Sequence, residues 1–155
     1  MSTTQAPAPT IRNAGFTPKV PHKLFVNIRI TDLQRSIDFF EALGFTFNTH
    51  FTDATATCML VGEDAYFMLL TPEKFASFSK LPAHDPRTST AAFFALSVDS
   101  RAAVDEMMRK AIAAGGAPAE EPQDHGFMYG QAFYDLDGHV WEVFWMDPNA
   151  IPSEG

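Results

Sequence analysis

Apolar and polar positions are most sharply ordered near the end of the chain, in QAFYDLDGHVWEVFWMDP (Gln131 to Pro148). On a strand, Val140, Glu142 and Phe144 fall on one face and Trp141, Val143 and Trp145 on the other. The Asp137-Gly138 pair just before this run is a hairpin signal. Glu142 is the only charged residue of VWEVFW. A lone carboxylate among aromatics has to be exposed, paired, metal-bound or held neutral by a raised pKa.

Earlier in the chain the pattern twice runs strand, helix, strands. Residues 1–21 are rich in Pro, Thr and Ala and read as a flexible arm with Phe16 as its anchor. KLFVNIRI alternates as a strand, and Thr31-Asp32 supplies a cap. Leu33, Ile37, Phe40 and Leu43 then recur at helical spacing until Gly44. FTFNTHF, TATCMLV and AYFMLLT follow as strands, and a short helical stretch spans Glu73 to Ser79. Residues 22–78 therefore form one βαβββ module, and 79–90, with Pro82 and Pro86, a linker. The order repeats over 91–148. AAFFALSV reads as a strand, and a helix capped by Ser100 carries Val104, Met107, Ala111 and Ala114 up to Gly115-Gly116. A polar stretch, PAEEPQDHGFMYG, and the hairpin complete the module, leaving 149–155 as a tail. The fold class expected is α+β, two βαβββ modules pairing into a cleft with helices outside, at a repeat of roughly 70 residues.

Composition narrows the function. With 155 residues, 46% apolar and 15 of them Phe, the chain has ample core for one domain or two small modules. A formal charge of −8 without a basic patch argues against nucleic acid or an anionic membrane as partner. One cysteine, Cys58, suits a reducing compartment. No apolar run reaches membrane-spanning length, and MSTTQAPAPT lacks the features of a signal peptide, so the expected location is cytoplasmic.

Three stretches, NIRITDLQRSIDFFEALGF, FFALSVDS and DLDGHVWEVFWMD, resemble the vicinal oxygen chelate superfamily of glyoxalase I, bleomycin and fosfomycin resistance proteins and extradiol dioxygenases. Their order and spacing carry the resemblance over about residues 23–147. FTDATATCMLV and EPQDHGFMYG look typical of a branch labelled predicted lactoylglutathione lyase. In metal-using members, four equivalent strands each supply one ligand. The resemblance places Phe25, Met68, Phe93 and Glu142 at those positions, and only Glu142 is a ligand-type side chain. It therefore implies that the inherited metal site is gone and that no cofactor is bound, the alternative being a divalent metal in a rearranged site.

Around Glu142, Asn27 and Arg29 share the strand face equivalent to the site and are candidates to neutralise it. His125 and Tyr129 sit in a Gly-flanked loop expected to cover the cleft and are catalytic candidates beside Glu142, His125 as acid or base. His139 faces away from Glu142 by strand parity, and Cys58 reads as a buried, inert thiol. The acidic pair of DLDG reads as turn chemistry rather than a calcium loop. The function expected is binding of a small, apolar or aromatic molecule in a cleft lined by Phe25, Met68, Phe93, Phe144 and Glu142. The rival is a glyoxalase-like lyase or isomerase, or a dioxygenase, using Glu142. Exposed sheet edges and the resemblance suggest a homodimer.

Overall fold

The computed structural model describes residues 5–150. Most of the expected 149–155 tail and the first residues of the arm lie outside the described residues. The first half contains β1 (Leu24–Arg29), α1 (Leu33–Ala42), β2 (Thr46–Asn48), β3 (Ala56–Gly62), β4 (Ala65–Leu70) and α2 (Pro72–Phe78). The second contains β5 (Phe93–Ser97), α3 (Arg101–Ala113), β6 (Ala117–Asp124), β7 (Met128–Tyr134) and β8 (Val140–Met146). The strands make two four-stranded sheets, ordered β1-β4-β3-β2 and β5-β8-β7-β6. In each, the first strand runs parallel to its neighbour and the other pairs are antiparallel. The α+β class with two βαβββ units is as the sequence predicts.

The helices start and stop where side chains satisfy their free backbone groups. Asp32 accepts from the Arg35 amide at 3.0 Å, and Ser100 from the Ala103 amide at 3.0 Å. Gly44 and Gly115 follow α1 and α3 at φ +102° and +108°, a conformation that side chains other than glycine's resist. Phe39 and Phe40 of α1 and Val104, Met108 and Ala111 of α3 are buried in one core cluster with residues of both sheets. The Trp141 ring lies 4.7 Å from Phe67, 5.1 Å from Phe94 and 5.2 Å from Phe40, so the modules share one core.

The DLDG turn joins the halves. Asp137 accepts from the Thr31 amide at 2.9 Å and the Thr31 hydroxyl at 2.6 Å. His139 Nε2 bonds the Arg29 carbonyl oxygen at 2.7 Å. Asp135, buried, accepts from the Asp137 and His139 amides at 2.9 and 3.0 Å and from the Trp141 indole at 2.9 Å. This is turn chemistry, as the sequence suggests, serving the module junction. Burial pushes the Asp135 carboxyl above the ordinary range, against the pull of His139 and these donors.

Three local expectations fail. The polar stretch after α3, to which the sequence pattern assigns no element, contains β6 over 117–124, and β7 begins at Met128 rather than Gln131. A sheet-edge strand tolerates Pro118 and Pro122 and needs no apolar alternation, so its pattern was silent. The strand expected at FTFNTHF is only three residues long before a 3-10 turn, Thr49–Phe51, capped by Asn48. Phe16 is 71% exposed and so does not anchor the arm to the chain's own core.

Candidate functional site

β8 carries Trp141 and Val143 into the core and turns Glu142 and Phe144 to the opposite face. The cross-strand neighbours of Glu142 are Ala95 on β5 and Ala132 on β7, and Phe144 stands beside Gly130. These small residues leave a bay around the carboxylate. The bay is a cavity of about 360 Å³, walled by Phe144, Met128 and Met146 and reached by Glu120, Gln123 and His125. Glu142 is half-buried and has no ion pair and no side-chain hydrogen bond among the described residues.

The hairpin loop bearing His125 is pinned by the first residue of α3. Arg101 donates to both carboxylate oxygens of Asp124 at 3.0 Å each and to the Gly126 carbonyl at 2.8 Å. Its guanidinium lies 5.2 Å from the Tyr129 ring centre and 5.1 Å from that of Trp145. The Arg101 hydrogen bond holds the Asp124 carboxyl at about 2.

The other sequence candidates divide. Tyr129 is not in a loop over the cavity. It lies on β7, on the face opposite Glu142, where its hydroxyl donates to Asp105 of α3 at 2.5 Å. Odd and even positions of β7 face opposite ways, which the loop reading could not resolve. Asn27 and Arg29 do share a face with Met68, but they line a different cavity from Glu142, and Arg29 does not neutralise it. The guanidinium of Arg29 instead reaches the His84 carbonyl at 3.4 Å. Phe25 stacks on Tyr66 with ring centres 4.7 Å apart, and Phe93 is 64% exposed. Cys58 is buried, and burial raises its thiol pKa, as expected for an inert position. Glu120, Gln123 and Met128 were missed because β6 and the true start of β7 carry them, and Met146 because the alternation of β8 was followed only as far as Trp145.

Residues 22–143 match the model of the Glyoxalase/Bleomycin resistance protein/Dioxygenase superfamily. The chain belongs to that superfamily. Nothing among curated protein sequences matches significantly. Among solved structures, the hypothetical protein SA1046 from S. aureus is similar at 26% identity and TM-score 0.70, over 81% of this chain and 95% of that one. A superfamily enzyme from Burkholderia phytofirmans PsJN matches at 19% identity and TM-score 0.68, over 81% and 99%. A lactoylglutathione lyase from Agrobacterium tumefaciens matches at 17% identity and TM-score 0.60, over 86% and 98%. The last two likenesses speak to the fold alone.

Of the four positions that the resemblance assigns to the metal ligands of this superfamily, only Glu142 carries a ligand-type side chain. Phenylalanine at 25 and 93 offers no donor atom, and the thioether of Met68 is a poor ligand for hard or borderline cations. Among the described residues, no three His, Cys, Asp or Glu side chains gather where they could hold an ion. Nor is any helix there long and apolar enough to cross a membrane.

Proposed function

We propose that this superfamily member binds a small molecule in the Glu142 cavity without the inherited metal. The supporting observation is a half-buried carboxylate with no protein partner, facing about 360 Å³ of space between Phe144, Met128 and Met146. An unpartnered carboxylate beside apolar walls suits a ligand with an aromatic or aliphatic body and one cationic or hydrogen-bond-donating group. Glu120 on the same rim adds negative charge and favours the cation. The exposed apolar side chains of Leu24, Phe25 and Phe93 favour a homodimer, and the lone thiol fits a cytoplasmic protein.

A second reading, a lyase- or isomerase-like enzyme, is favoured by one observation: His125 and Glu142 line the same cavity. A histidine and a carboxylate facing one ligand are the groups that proton transfer between carbons requires. Titration with benzylamine and its neutral analogue benzyl alcohol, followed by ligand-observed NMR, tests the binding reading. Benzylamine should bind saturably and lose roughly tenfold in affinity in Glu142→Gln, the scale of one charge-assisted contact. Equal affinity in wild type and Glu142→Gln would overturn it.

A further inference from the structure

A separate cavity of about 280 Å³ opens between the outer edges of β1 and β5, roofed by α2 and the linker. Val26, Phe75, Phe94 and Val140 make its walls apolar, while Arg29 stands at its rim. None of the residues lining it is acidic, whereas Glu120 and Glu142 both line the other cavity. Arg29 has no carboxylate partner among the described residues, and its contact with the His84 carbonyl, at 3.4 Å, is at the long limit of a hydrogen bond.

The backbone adds to this. Leu24 and Ile30 donate their amides to carbonyls on the β4 side, at 2.8 Å each. In an evenly spaced parallel ladder the Asn27 N–H and C=O therefore point the other way, to the free edge. That edge meets the cavity, because β5 pairs only with β8. His139 and the Asn27 side chain already bond the Arg29 and Phe25 carbonyls of that edge, so a cation, the Asn27 N–H and an apolar pocket with no acidic group form a complementary surface for an anion on a hydrophobic body.

We propose that this cavity is a second ligand site, taking a compact aromatic or branched-chain monocarboxylate whose carboxylate pairs with Arg29. The volume suits a single ring or a short branched chain rather than a conjugate such as a tripeptide thioether. The two cavities then select opposite charges, an anion at the module junction and a cation over Glu142, and this proposal stands whether or not the Glu142 reading holds.

Benzoate and its neutral isostere benzamide are the probes, read by ligand-observed NMR and by chemical-shift changes of the backbone. Wild type should bind benzoate saturably, shift the amides of Asn27 and Ala92, and prefer it to benzamide by roughly tenfold. Arg29→Gln should abolish that preference, and Ala92→Phe, filling the cavity from an exposed coil position, should abolish binding of both. Glu142→Gln should leave benzoate binding unchanged, which separates this site from the other. No saturable benzoate binding at roughly 10 mM, an affinity ceiling of a few kcal/mol at best, would sink the proposal. So would binding that survives both Arg29→Gln and Ala92→Phe, or shifts confined to the Glu142 bay.

Discussion

At Glu142 a carboxylate without a partner separates stability from binding. Glu142→Gln keeps the shape and strands no other charge, so it should cost less than about 1 kcal/mol in urea unfolding while weakening a cationic ligand. Asp135 is the opposite case, since it is buried and three N–H donors depend on it. Asp135→Ala should cost roughly 3 kcal/mol or more, because each stranded donor carries its own desolvation penalty, and the same unfolding assay reads it. A measured loss below about 1 kcal/mol would mean that water takes over the three bonds. Asp124 gives a pH test. Its carboxyl sits at about 2, below the ordinary 3.8, chiefly through the Arg101 hydrogen bond. A depressed carboxyl contributes stability that is present above its unfolded value and is lost as pH falls through about 2. In Arg101→Ala its NMR titration should return towards 3.8, and the His125 loop should lose order with it.

Elements were legible to the degree that one face of each is buried. α1, α3 and β8 announce themselves because their core faces repeat at helical or strand spacing. β6 does not, because an edge strand with Glu120, Glu121 and two prolines buries almost nothing. Its place is set by α3, which ends at Ala113 and turns through Gly115-Gly116 directly into the strand. At Gly116 an added Cβ would meet the Tyr134 carbonyl oxygen at 2.8 Å and the Ala111 carbonyl oxygen at 3.0 Å. Both are backbone, so Gly116→Ala should destabilise by about 1–3 kcal/mol, as overpacking does, in thermal or urea unfolding.

For the whole molecule, the exposed apolar faces predict association, and light scattering should report twice the 17.1 kDa chain mass. The donor set predicts indifference to metal. EDTA or added Ni or Zn should leave the melting temperature unchanged, since an ion bound to the native state would raise it by mass action. A shift of several degrees in either experiment would restore a metal to the reading.

The sequence by itself determined the repeated strand-helix-strand order, the superfamily, the core stripes of α1 and α3 and the two faces of β8, because each depends on local spacing and burial. It also placed Glu142 as the odd carboxylate on its strand. Only the tertiary structure decided that Arg29 and Glu142 belong to different cavities and that Tyr129 faces a helix rather than the Glu142 bay that His125 lines. Those relations depend on how two sheets are set about a shared core and on where an edge hairpin folds over. No periodicity within a single segment encodes the distance between residues on different sheets.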